Sequence, residues 1–161
     1  MSSLTGRCAC GGIRYELASE PMFTHCCHCL DCQRQTGSAF VINGLIETDR
    51  IRLTVGEVIE TSFPTESGKP HLVYRCGDCL TVLWSDYGAR GYLSFLRAGT
   101  LDDPSQIRPD VHIFTRTKLP WVQLPPDVPA FEVFYDMKSL WPEAALDRRR
   151  TASAAAKSSR T

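Results

Sequence analysis

The cysteines constrain this chain more than any other feature. They fall into three short groups: Cys8-Ala9-Cys10, then Cys26-Cys27-His28-Cys29-Leu30-Asp31-Cys32, then Cys76-Gly77-Asp78-Cys79. Thiolates hold a zinc ion at about 2.3 Å in a tetrahedron, and a CxC or CxxC turn delivers two of them from one loop. Gly11, Gly12 and Gly77 lie in or beside these turns and permit the tight backbone they need. If the groups share metal, the fold has to bring together thiols from both halves of the chain.

Disulfides are the first competing explanation. The chain has 161 residues, about one domain. Folding at that size buries roughly two thirds of the unfolded surface, so a core forms without cross-links. The first seven residues lack the apolar run of a secretory leader. A cytoplasmic location with reduced thiols is therefore expected, and there clustered cysteines bind metal or react more often than they pair. A CxxC redox pair is a second alternative, but neither copy has a recognisable βαβ context. No apolar stretch approaches the ~18 residues of a membrane helix. The charge balances, with 18 basic and 18 acidic residues, which argues against a broad nucleic-acid or membrane-binding face.

Counting ligands suggests two sites of different character. Cys8, Cys10, Cys76 and Cys79 sum to four thiolates, a closed site stapling distant segments. Cys27, Cys29 and Cys32 supply three thiolates from one loop, and three protein ligands with an open fourth position are the pattern of a catalytic zinc. One closed site with spare cysteines is the competing count. Cys26 is left over, because adjacent residues of an extended strand face opposite ways. It is expected to be a buried thiol packing as a small hydrophobe, with an exchangeable spare ligand as the sharper alternative.

The rest of the chain reads as mainly β. Ile13, Tyr15 and Leu17 alternate with Arg14 and Glu16, the period-2 mark of a half-buried strand. Similar runs cover 40–46, 51–55, 58–63, 72–75, 81–84 and 92–97, with weaker candidates at 112–115, 122–124 and 131–134. Short helical turns are expected over 30–35, beside the cysteines, and over 136–146, interrupted by Pro142. Residues 1–142 are expected to form the domain. The Ala, Ser and Arg-rich segment 143–161, with Arg148-Arg149-Arg150, reads as a disordered basic tail.

Cys8-x-Cys10-Gly11, Cys27-x-Cys29-x-x-Cys32-Gln33-Arg34, Thr36-Gly37-Ser38-Ala39-Phe40 and Cys76-x-x-Cys79 resemble the glutathione-dependent formaldehyde-activating enzyme family, whose domain is shared with centromere protein V. The later Ala98-Gly99-Thr100-Leu101-Asp102-Asp103-Pro104, His112-Ile113 and Pro120-Trp121 are also similar, so the likeness spans about residues 5–134. The resemblance implies a β-tent fold of short antiparallel strands with two zinc ions. Cys8, Cys10, Cys76 and Cys79 would hold the structural ion, and Cys27, Cys29 and Cys32 the catalytic one. One departure is Leu80, which stands after Cys79 where the family usually has Gly.

The implied reaction joins glutathione to formaldehyde to give S-hydroxymethylglutathione, a carbon–sulfur lyase reaction run in reverse. A three-thiolate zinc suits it by holding a fourth sulfur as thiolate at neutral pH; activation of the aldehyde oxygen is the alternative. His25 and His28 are candidates to shuttle a proton or support the ligands, against a reading as histidines fixed by loop geometry. Arg34 and Ser38 are candidates to receive a glutathione carboxylate. Trp84 and Trp121 are expected to pack rather than to touch substrate. The competing function is a non-catalytic zinc module for a macromolecular partner, motivated by the basic tail; in a third reading both zincs are structural.

Overall fold

The computed structural model describes residues 4–160. Among these residues, ten strands form two sheets. Strands β1 (Thr5–Arg7), β2 (Arg14–Leu17) and β5 (Ile51–Val55) make a small sheet in the order β1-β2-β5. The large sheet contains β3 (Phe23–Cys27), β4 (Val41–Glu47), β6 (Val58–Phe63), β7 (His71–Cys76), β8 (Val82–Tyr87), β9 (Leu93–Arg97) and β10 (Val111–Ile113), in the order β10-β3-β4-β9-β8-β7-β6. The protein is thus mainly β. Its pairing is antiparallel, as expected, except at one edge, where β10 lies parallel to β3. A parallel neighbour needs a long connection, and most of the chain separates these two strands.

The alternating runs become strands with small shifts at their ends. Two strands escape that pattern. All five residues of β3 are buried, so it shows no alternation to read, and β1 has only three residues. The expected strands at 122–124 and 131–134 do not form. Residues 130–134 run beside β10 with scattered bonds, Phe131 N to His112 O at 2.9 Å and Phe114 N to Val133 O at 2.8 Å, but build no regular ladder.

Directly paired strand residues share a face, and the large sheet has a core on each. On one face Phe23, Cys27, Val41, Leu45 and Leu93 pack with Tyr135, Trp141 and Ala145. On the other, Ile46, Trp84 and Leu96 pack against Leu4, Tyr15 and Leu17 of the small sheet and its approach. Gly6 is required there by space: an added Cβ would stand 2.3 Å from the Tyr15 ring.

Three α-helices are present among the described residues. The first, α1 (Leu30–Thr36), starts at Cys29, whose sulfur accepts the Cys32 amide, and stops at Gly37 in the left-handed conformation, φ 63. Pro142 separates α2 (Met137–Leu140) from α3 (Glu143–Ser158). Over residues 143–158 the expected disordered tail is therefore a helix. Its alanines are the best helix formers. Ala145 is buried in the core, and Arg148 pairs with Glu47 of β4.

Candidate metal centres and active site

The sulfurs of Cys8, Cys10, Cys76 and Cys79 all lie within 4.8 Å of one another, with Cys8–Cys10 at 3.4 Å and Cys10–Cys76 at 3.8 Å. Four sulfurs at the zinc–sulfur bond length around a tetrahedral centre stand about 3.8 Å apart, so the cluster fits that ion. Local backbone bonds steady it. Ile13 N donates to Cys8 Sγ at 3.2 Å and Gly12 N to Cys10 Sγ at 3.5 Å. The Thr81 hydroxyl, 3.1 Å from Cys79 Sγ, leads the hydrogen bonds that hold this thiol down at about 5. Leu80, at the family's Gly position, adopts φ 61, so the turn does use the conformation that favours glycine.

A second cluster joins Cys27, at the end of β3, to Cys29, which caps α1, and Cys32 within it, again with all sulfurs within 4.8 Å. Cys27 and Cys32 are buried and Cys29 half-buried. Cys32 N donates to Cys29 Sγ at 3.3 Å. Hydrogen bonds from the Cys27 and Cys32 thiols bring Cys29 down to about 2, while Cys29 in turn pushes Cys27 far up. One negative charge is thus readily held among these three thiols, and the next needs a cation. Three converging thiols with that charge demand suit a soft divalent ion with one side left for another ligand. The structure so divides seven cysteines into four and three, and the single shared site does not form.

Polar side chains line the sheet face beneath α1. Cys27 pairs with Val41, and two residues further along Asn43 pairs with Arg97. Arg97 donates through Nη1 to Asn43 Oδ1 and through Nη2 to Gln35 Oε1 at 3.2 Å. With its oxygen so engaged, the Gln35 amide turns its NH2 to His71 Nδ1, 3.2 Å away, which fixes Nδ1 as the acceptor and leaves the proton on Nε2. His71 stacks on Tyr87 with ring centroids 4.0 Å apart. A cavity of about 420 Å³ opens at this end of the sheet, with Gln35 and Arg97 in its lining and Phe40, Val41, Leu80 and Val82 among its apolar walls.

Arg34 and Ser38 are exposed and do not belong to that lining, whereas their neighbours Gln35 and Thr36 do. His25 and His28 are buried instead of held on an exposed loop. His25 Nε2 meets the Tyr135 hydroxyl at 2.6 Å. His28 Nε2 lies 3.0 Å from His112 Nδ1 and 3.6 Å from Cys26 Sγ. Burial pushes both His25 and His28 down to about 4. Cys26 is thus a buried thiol packed against two imidazoles. Trp84 is buried between Tyr15 and Tyr74, while Trp121 is 72% exposed and packs in no core. Gln35, Arg97 and His71 escaped the sequence reading because no spacing links them; strand pairing and α1 bring them together.

Fold and clusters define a mainly β protein with two thiol-rich centres suited to metal. Residues 3–117 match the model of the glutathione-dependent formaldehyde-activating enzyme family, and the chain belongs to that family. No curated protein matches it. Among solved structures, a protein of Rhodobacter sphaeroides is similar at 16% identity and a TM-score of 0.49, covering 79% of this chain and 99% of its own. Among the described residues, no helix is long and apolar enough to cross a membrane.

Proposed function

We propose that the chain joins a thiol, glutathione in the first instance, to formaldehyde at the Cys27–Cys29–Cys32 centre. A carbon–sulfur bond forms between the thiol sulfur and the aldehyde carbon, and the thiol proton ends on the aldehyde oxygen. Run backwards, the step is a carbon–sulfur lyase reaction. In this reading Cys27, Cys29 and Cys32 hold one zinc ion, and Cys8, Cys10, Cys76 and Cys79 hold a second that staples β1–β2 to β7–β8. Bound zinc would lower the pKa of a sulfur beside it, so that the nucleophile exists as thiolate at neutral pH.

The observation that carries this reading is the contrast between the clusters: four sulfurs close one, and three leave the other a free side. α1 sets the geometry, since Cys29 caps it and Cys32 lies in its first turn. The cytoplasm, where glutathione is abundant and thiols stay reduced, suits such a protein. The macromolecular alternative rested on the basic tail. Two of its three consecutive arginines are engaged within the molecule, Arg148 by Glu47 and Arg150 by Glu143 and Asp147.

Exchange spectroscopy by nuclear magnetic resonance on glutathione and formaldehyde tests the proposal. Zinc-loaded protein is expected to bind glutathione and to speed exchange between free and adduct forms. Absence of both effects would overturn it.

A further inference from the structure

Arg97 is a buried cation with no acid beside it. Its residue is 7% exposed. The guanidinium bonds only the neutral amide oxygens of Asn43 and Gln35, and its Nε, also buried, has no partner. No salt bridge among the described residues includes it. The buried carboxylates among the described residues are already committed elsewhere, Asp86 to the amides of Arg90 and Gly91 and Glu47 to Arg148. A buried charge persists only where other charge compensates it.

The three thiols supply that charge. Cys32 and Gln35 are three residues apart on α1, hence on one helix face, and Gln35 is the residue bonded to Arg97. In the sheet, Arg97 and Asn43 stand on the same face as Cys27 and Val41. The guanidinium therefore lies beside the centre, bonded to the residue one helical turn after Cys32 and on the sheet face that carries Cys27. Three thiolates around a dication leave an excess of one negative charge, and a thiolate as fourth ligand makes it two. A neutral donor adds none, so a fixed cation favours the thiolate selectively. The planar fork matters too, because it is held by two amide oxygens at once.

We propose that Arg97 is the counter-charge of the Cys27–Cys29–Cys32 centre and makes it select an anionic sulfur donor over a neutral one. Arg97 is a positioning residue: it acts through the charge balance of the thiolates. The inference rests on metal being held by these three cysteines, as under the proposed function, but not on glutathione being the physiological thiol.

The experiment compares zinc-loaded wild type with Arg97→Met, Arg97→Lys and Gln35→Glu. The probes are 2-mercaptoethanol, which carries no carboxylate, and imidazole as a neutral donor; metal content per chain is measured alongside. In Arg97→Met, 2-mercaptoethanol affinity at neutral pH is expected to fall about tenfold, with its half-point moving up by about one pH unit. Imidazole affinity and the four-cysteine metal should stay unchanged, and Arg97→Lys should recover part of the loss. Gln35→Glu gives Arg97 an internal carboxylate in a side chain of the same shape, and should show the same selective loss even if Arg97→Met fails to fold. Equal effects on both probes, or none, in Gln35→Glu or a folded Arg97→Met would overturn the proposal. So would wild type binding imidazole but no thiol. Wild type that binds 2-mercaptoethanol yet neither binds nor turns over glutathione would overturn the proposed substrate and leave the role of Arg97 standing.

Discussion

Arg148 on the C-terminal helix grips Glu47 at the end of β4 with two bonds, Nε to Oε1 at 2.8 Å and Nη2 to Oε2 at 2.6 Å. The same guanidinium also reaches Ser19 Oγ and the Glu20 carbonyl. The pair locks residues 143–158 onto the sheet across most of the chain's length. Burial pushes the Glu47 carboxyl up, but Arg148, a backbone hydrogen bond and Arg50 together outweigh it and the net shift is downward. Arg148→Met, which leaves a nearly buried carboxylate with only Arg50 Nε, 3.3 Å away, as its partner, is expected to destabilise the fold by about 2 kcal/mol at neutral pH. A lowered folded value means that this contribution is present above the ordinary carboxylate range and is lost as pH falls through the folded value. Denaturant unfolding of both proteins at pH 7 and pH 4 checks it: the gap should shrink in acid.

Acid should act through His71 as well. It is 1% exposed, and burial, then the neighbouring Arg97, push it down to about 4. The unfolded chain takes up this proton near pH 6.5 and the folded one does not, so the stability is present above 6.5 and lost as pH falls toward 4. At pH 5 the loss attributable to His71 is about 2 kcal/mol. His71→Gln should flatten the stability profile between pH 6.5 and 4 by about 2.5 kcal/mol; a variant with the wild-type slope would show that His71 titrates normally.

Leu80 holds φ 61 and is 56% exposed. A non-glycine residue in the left-handed region costs about 1 kcal/mol. Replacing it by Gly should raise the unfolding temperature by about 3 °C, whereas Leu80→Ala, which keeps the Cβ, should not. Calorimetry on the zinc-loaded proteins distinguishes the two.

Metal analysis separates the clusters. Wild type is expected to hold two zinc ions per chain. Cys29→Ser should hold one and stay folded, because the four-cysteine cluster is separate. Cys76→Ser should lose cooperative folding, since Cys76 sits in the core shared by both sheets and its metal joins distant segments. Unfolding of Cys29→Ser would mean the three-cysteine centre is structural as well.

Much of the metal chemistry was legible locally. Cys8 with Cys10, Cys76 with Cys79, and Cys27 with Cys29 and Cys32 lie within a few residues of each other, so each turn fixes its own sulfurs, while the joining of Cys8 and Cys10 to Cys76 and Cys79 is left to the tertiary fold. Strands such as β5 and β6 were legible because half-burial leaves alternation in the residues. Buried β3 left no such mark, although it carries Cys27. The C-terminal helix was misjudged because its hold on the domain depends on Glu47, far away in the chain.

The sequence alone determined the thiol groups, the turns around them and the mainly β character, since each depends on neighbours a few residues away. Tertiary structure decided what surrounds the thiols. Arg97, Gln35 and His71 come from β9, α1 and β7, and only strand register and helix docking place them on one face. A buried cation has its meaning from the charge nearest in space, and no spacing along the chain records that distance.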